Sequence, residues 1–67
     1  MKRYYSTQRP VAPGTFPKPK GNRIARIENF DARTHIPEID GKAWGFIEYE
    51  KPLTDREAEA YELEPAH

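Results

Sequence analysis

The sequence of 67 residues predicts one small α+β domain: an antiparallel sheet of three or four strands, a short C-terminal helix and a proline-rich arm. Three observations support this fold class. Segments of β-favouring residues recur along the chain, proline and glycine separate them, and the clearest helix start lies near the C-terminus. A chain of this length has room for only one hydrophobic core, so we expect residues 1–67 to form a single domain.

The first half of the chain predicts two strands joined by the arm. Residues 1–9 are rich in aromatic and β-favouring types and contain no proline or glycine, which indicates a strand. Residues 10–21 hold four prolines and two glycines, so we expect an irregular loop or arm there. A second strand is predicted over residues 22–30, with a bulge near Ala25 that would bring Ile24 and Ile27 to one side. The spacing of Ile24, Ile27 and Phe30 also fits a helix.

The second half predicts a turn, the strongest strand and the helix. Residues 31–41 contain Asp31, Pro37 and an Asp-Gly pair, which indicates a turn-rich connection with one helical turn at 37–40. Residues 42–50 form the best strand candidate. Thr54 followed by Glu57 has the spacing of a capping box, which predicts a capped helix over residues 54–62.

The net charge is zero, but the two halves differ in sign. Residues 1–27 carry seven Lys/Arg and no acid, whereas residues 28–67 carry four Lys/Arg and eleven Asp/Glu. The first interpretation is that the two halves neutralise each other within the fold. A second is that the cations, interleaved with Tyr4, Tyr5 and Phe16, contact nucleic acid. A third is that the acidic half imitates the charges of DNA, although the cations would dilute such a field.

The residue types argue against catalysis and against a metal or cofactor. The chain has no cysteine and one serine, Ser6, and its histidines, His35 and His67, are far apart in sequence. This set offers almost no raw material for a nucleophilic triad, and a structural zinc site would need carboxylates to complete it, which is not typical of such sites. Glu48 and Glu50 share a strand face, where alternating acids indicate a solvated surface. We therefore expect no enzymatic activity, no metal and no cofactor.

Candidate functional and core residues follow from the same pattern. The arm is expected to bind a partner because its prolines lower the entropy lost on binding and its cations are exposed. The predicted contact residues are Arg9, Phe16, Lys18, Lys20 and Arg23. The predicted core residues are Ile27, Trp44, Phe46, Ile47, Tyr49 and Tyr61.

Several segments resemble a group of small proteins that accompany conjugative and phage-like mobile elements of bacteria. They are residues 4–11 (YYSTQRPV), 13–17 (PGTFP), 29–31 (NFD), 43–46 (AWGF) continuing to Tyr49, 52–54 (PLT) and 61–63 (YEL). The resemblance implies an accessory protein that acts in the cytoplasm by binding a protein of the host or of the element. It carries over no catalytic residue.

The leading hypothesis is therefore a non-catalytic accessory protein of a mobile element that acts through protein–protein contact. One alternative is a small nucleic-acid-binding protein that uses the basic half. Another is an inhibitor of host defence, of the anti-CRISPR or anti-restriction type. No apolar run reaches the length of about 18 residues that a membrane helix needs, so we expect a cytoplasmic protein without a membrane partner. A short edge strand and a thin core would allow sheet-to-sheet self-association into a homo-oligomer, and the sequence leaves both a monomer and a dimer open.

Overall fold

The computed structural model describes residues 1–66, and His67 lies outside the described residues. Its elements in chain order are β1 (Lys2–Ser6), β2 (Ile24–Ile36), a 3₁₀ turn (Pro37–Ile39), β3 (Gly41–Tyr49), α1 (Asp55–Ala60) and β4 (Leu63–Pro65). The four strands form one sheet in the order β2-β3-β1-β4, and every neighbouring pair is antiparallel. The α+β prediction, with a fourth strand and one short helix, is confirmed.

The predicted bulge near Ala25 is present. The register between β2 and β3 shifts between Ile24 and Arg26, so that Ile24 lies opposite Tyr49 and Ile27 lies opposite Ile47. Because Ile47 and Tyr49 are two residues apart in β3, Ile24 and Ile27 share one face of the sheet, as the sequence indicated.

The predicted boundaries of the first two strands and of the connection were wrong. β1 ends at Ser6 rather than at residue 9, and the Ser6 hydroxyl donates a hydrogen bond to the Arg9 carbonyl across the turn that follows. β2 continues to Ile36, so most of the predicted connection 31–41 is strand and only residues 37–40 turn. A second irregularity places four residues of β2, 30–33, opposite the single residue Trp44. Exposed polar residues on an edge strand give the same sequence pattern as a loop, which explains the error.

The helix begins as the sequence predicted, although it is shorter. Thr54 accepts a hydrogen bond from the Glu57 backbone N–H at 3.1 Å, and the Glu57 carboxylate accepts one from the Thr54 N–H at 2.8 Å. α1 then ends at Ala60, and the left-handed backbone of Glu62, with φ of 55°, turns the chain into β4. No helix within residues 1–66 is long and apolar enough to cross a membrane.

The core consists of two apolar clusters. The larger cluster joins the sheet to the arm and to the helix segment, and consists of Tyr4, Val11, Phe16, Ile47, Tyr49, Leu53, Ala58 and Leu63. The smaller cluster consists of Tyr5, Ala43 and Phe46, with Phe30, Ile36 and Ile39 packed against it. The arm therefore contributes two core side chains, although its composition resembles that of an exposed loop.

The predicted core residues differ in burial. Phe46, Ile47 and Tyr49 are buried, and Trp44 and Tyr61 are half-buried. The assignment of Ile27 to the core was wrong, because its side chain is 44% exposed. Ile27 lies on the edge strand β2, where a neighbouring strand shields it on one side only.

Candidate partner-binding surface

The proline-rich arm is attached to the sheet by buried contacts. Val11 and Phe16 lie in the larger core cluster, and the Tyr49 hydroxyl donates a buried hydrogen bond of 2.6 Å to the Pro17 carbonyl. Burial also raises the pKa of the Tyr49 hydroxyl well above its ordinary value, so this hydroxyl stays protonated and remains a donor. The middle of the arm is thus a structural part of the domain.

The side chain of Asn29 provides a second attachment. Its amide nitrogen donates to the Val11 carbonyl and its oxygen accepts from the Val11 N–H, both at 2.8 Å. Asn29 comes close to Gly45 on β3: a Cβ built on Gly45 would lie 3.0 Å from the Asn29 oxygen and 2.3 Å from the Glu28 carbonyl oxygen. The absence of a side chain at Gly45 therefore allows β2 to approach and present Asn29 to the arm.

The end of the arm is fixed by a similar pair of bonds. The Asn22 side chain donates to the Lys51 carbonyl and accepts from the Lys51 N–H, both at 2.9 Å. The Glu50 N–H donates to the Arg23 carbonyl, also at 2.9 Å. These bonds bring Lys51, which follows β3, beside the end of the arm.

Four cations are consequently held at the surface on a fixed backbone. Lys18, Lys20, Arg23 and Lys51 are all exposed, and none of them forms a salt bridge with another of residues 1–66. We call these four residues the cationic surface. Exposed charges that are not neutralised within the molecule attract an anionic partner more strongly than charges that are paired.

Other arginines of the first half are neutralised within the domain. Arg3 pairs with Glu48 at 3.0 Å, Arg9 with Glu62 at 2.5 Å and Arg26 with Glu28 at 2.6 Å. The Arg3 guanidinium also lies 4.1 Å from the centre of the Phe46 ring. Hydrogen bonds to the Tyr5 hydroxyl and to Glu48 raise the pKa of Arg3, against the opposing effect of burial.

The structure divides the predicted contact residues into two groups. Lys18, Lys20 and Arg23 are exposed and belong to the cationic surface. The prediction of Phe16 as a contact residue was wrong, because it is 7% exposed and packs in the core. Arg9 is half-buried and forms a salt bridge with Glu62, and it does not belong to the cationic surface. Lys51 was missed because the hydrogen bonds of Asn22, rather than any local pattern, bring it to this surface.

Among residues 1–66 no three His, Asp or Glu side chains come together as potential metal ligands. His35 is exposed on β2.

The comparisons with known proteins give one match. No curated protein and no solved structure matches the chain. A family model described as "Defence against restriction A C-terminal" matches residues 1–67. Since this match spans the whole chain, the protein belongs to the defence against restriction A C-terminal family.

Proposed function

We propose that this chain is a non-catalytic binding domain that takes part in defence against restriction by contacting another protein through the cationic surface. The observation that carries the proposal is the placement of four unpaired cations. Lys18, Lys20 and Arg23 are exposed within one short segment, and the hydrogen bonds of Asn22 bring the exposed Lys51 beside it. None of these four forms a salt bridge among residues 1–66, whereas Arg3, Arg9 and Arg26 do. The other exposed and unpaired cations, Arg33, Lys42 and Arg56, belong to other segments of the chain. The family description supports the link to restriction.

The attachment of the arm supports a binding role for its exposed part. The hydrogen bonds from Tyr49, Asn29 and Asn22 fix the arm backbone on both sides of Lys18 and Lys20. Prolines 17 and 19 restrict the backbone between these anchors further. Less conformational entropy is then lost when a partner binds, which increases affinity. The proposal places this contact in the cytoplasm, with an acidic protein surface as the partner.

A protein partner is favoured over single-stranded nucleic acid by the positions of the aromatic side chains. Single-strand binding proteins stack bases on exposed aromatic rings. Tyr4, Tyr5 and Phe16, the aromatic residues interleaved with the cations in sequence, are 3%, 3% and 7% exposed. They are therefore not available for stacking on bases beside the cations of the first half.

Affinity capture from the native host tests the proposal. The tagged chain is incubated with lysate before and after nuclease treatment, beside a Lys18→Gln/Lys20→Gln variant and a control variant, Lys42→Gln/Arg56→Gln. Both variants remove two exposed positive charges, but only the first removes them from the cationic surface. Urea unfolding of all three proteins establishes that the substitutions leave the fold intact.

The proposal predicts a protein that survives nuclease treatment, is captured by the wild type and the control, and is lost with Lys18→Gln/Lys20→Gln. Capture that disappears on nuclease treatment would instead assign the surface to nucleic acid. Equal capture by all three proteins, or equal loss in both variants, would refute the cationic surface as the contact site.

A further inference from the structure

Strand β2 forms a free edge of the sheet. In the strand order β2-β3-β1-β4 it has β3 on one side and no described strand on the other. Residues 25–29 of β2 are all exposed. Apart from Met1, Ile27 is the one exposed large apolar side chain among residues 1–66. We call residues 25–29 the free edge, and Ile27 is its middle residue.

The backbone of Ile27 offers its hydrogen-bonding groups to a further strand. The Ala66 N–H donates to the Arg3 carbonyl, so the backbone groups of Arg3 face β4 and those of Tyr4, the next residue, face β3. Tyr4 lies opposite Ile47, whose backbone groups therefore face β1. Ile27 lies opposite Ile47 on the other side of β3, so the N–H and C=O of Ile27 point away from β3. No hydrogen bond within residues 1–66 occupies these two groups.

The charges of the free edge are complementary to those of a second copy. When two copies pair antiparallel with Ile27 opposite Ile27, Arg26 of each copy lies opposite Glu28 of the other. Within one chain Arg26 and Glu28 form a salt bridge of 2.6 Å, and 59% and 44% of their side chains remain exposed. The four side chains therefore form a group of alternating charge, and the two Ile27 side chains meet on the opposite face of the sheet.

This match selects one register of pairing. Pairing centred on Arg26 or on Glu28 would place like charges directly opposite each other, which is destabilising. Pairing centred on Asn29 would place the apolar Ile27 opposite Asp31. The register centred on Ile27 therefore satisfies the charges and the apolar side chain together.

We propose that two copies of this chain form a dimer by pairing their free edges, with Ile27 at the two-fold axis and one continuous sheet of eight strands. The register irregularities at Ala25 and at residues 30–33 confine regular pairing to the few residues between them. The interface is therefore smaller than a standard one, and we expect a weak dimer with a dissociation constant above about 10 μM. The dimer does not depend on the cationic surface, so each can be present without the other.

Sedimentation velocity of the full chain between about 10 μM and about 1 mM tests the inference. The wild type should dimerise with rising concentration. Arg26→Glu and Glu28→Arg each place like charges opposite each other across the axis, and each should raise the dissociation constant at least about fivefold. Lys42→Glu reverses an exposed charge on the interior strand β3 and should leave the dimer unchanged. Urea unfolding establishes that each variant is folded.

Mixing the two edge variants is the decisive step. In a mixed dimer of Arg26→Glu with Glu28→Arg, opposite charges face each other again at both positions, so dimerisation should be restored. The double variant Arg26→Glu/Glu28→Arg should dimerise like the wild type for the same reason. A repaired fold cannot explain restoration on mixing, because mixing changes neither chain.

Oxidative crosslinking tests the register, since the chain has no cysteine of its own. Opposed Ile27 residues would have Cα atoms about 5.5 Å apart, within the range of a disulfide, so Ile27→Cys should form a covalent dimer. The two copies of Asp31 would lie eight residues apart along the paired strands, about 25 Å, so Asp31→Cys should stay monomeric under the same conditions.

Three results would overturn the inference. They are a wild type that stays monomeric up to about 1 mM, a dimer that neither edge variant weakens, and edge variants that do not dimerise when mixed. The first would leave the free edge to a strand of another protein, and the second would place the dimer contact elsewhere. Lys18→Gln/Lys20→Gln should dimerise like the wild type, so failure of this inference and failure of the cationic surface are separable.

Discussion

At the scale of single residues, Gly45 on β3 is a position where the close approach of β2 leaves no room for a side chain. A Cβ at Gly45 would meet the Glu28 carbonyl oxygen at 2.3 Å and the Asn29 Cα at 3.0 Å, and both are backbone atoms that cannot rotate away. We expect Gly45→Ala to lower the free energy of unfolding by about 1–3 kcal/mol, in the range of overpacking substitutions.

Urea denaturation measures this effect, with Gly41→Ala as the control. A Cβ at Gly41 would lie 3.8 Å from the nearest atom, the Ile39 carbonyl oxygen, which is an ordinary contact distance. Gly41→Ala should therefore stay within about 0.5 kcal/mol of the wild type. Similar stabilities for the two variants would contradict the close approach of β2 at Gly45.

The Tyr49 hydroxyl connects the arm to the sheet, and its ionisation makes the stability of the fold depend on pH in the alkaline range. Its removal in Tyr49→Phe leaves the buried Pro17 carbonyl without its donor and should lower the free energy of unfolding by about 1–3 kcal/mol.

The folded-state pKa of Tyr49 is raised, so the unfolded chain loses this proton first, at the ordinary pKa of about 10. The stability due to Tyr49 is complete below that pH and falls above it.

Urea unfolding between about pH 9 and about pH 11.5 tests the sign of this dependence. The wild type should lose stability over this range more steeply than Tyr49→Phe, because only the wild type carries the shifted hydroxyl. Parallel curves for the wild type and Tyr49→Phe would contradict the burial of this group.

At the scale of elements, α1 depends on its N-cap. Six helical residues are too few for an isolated helix, so the capping box and the burial of Ala58 must stabilise it. We expect Thr54→Ala to lower the free energy of unfolding by about 1 kcal/mol and Thr54→Ser, which keeps the hydroxyl acceptor, to have a much smaller effect. Equal destabilisation in thermal or urea unfolding would show that the hydroxyl is not the stabilising group.

The elements that the sequence predicted well are those with strong local signals. Thr54 and Glu57 define the helix start by their spacing, and the bulge at Ala25 follows from the positions of Ile24 and Ile27. The extent of β2 was not predictable in the same way. Its residues 31–36 are mainly polar and exposed, and their strand conformation depends on pairing with residues 41–43, a tertiary effect.

The candidate site could be predicted only in part, because some of its features have local sequence signals and others depend on tertiary contacts. The proline-rich composition drew attention to the arm and to Lys18, Lys20 and Arg23, which are exposed. It gave no indication that Val11 and Phe16 are buried or that Asn22 brings Lys51 to the same surface. Those features depend on contacts between residues far apart in the chain.

At the scale of the whole molecule, the opposite charges of the two halves are only partly matched inside the fold. Arg3–Glu48 and Arg9–Glu62 join the halves, but these side chains remain 19–53% exposed. Such pairs contribute about 0–1 kcal/mol each and weaken with salt, whereas the buried bonds of Tyr49 and Tyr4 are screened much less.

Raising NaCl from about 50 mM to about 500 mM should therefore change the free energy of unfolding by less than about 1 kcal/mol. The same increase should clearly reduce capture of a partner by the cationic surface. Paired urea titrations at the two salt concentrations measure the first effect. A decrease of several kcal/mol in the free energy of unfolding would show that charge neutralisation between the halves, rather than the apolar core, is the main source of stability.

The most direct test of the central claim measures protection from restriction. Lys18→Gln/Lys20→Gln and the control Lys42→Gln/Arg56→Gln are introduced into the gene in its natural context, and the establishment of the DNA that carries the gene is compared between a restricting and a non-restricting host. The account predicts that protection is lost with Lys18→Gln/Lys20→Gln and retained with the control. Protection that persists in both variants, or that is lost in both, would contradict the cationic surface as the functional site.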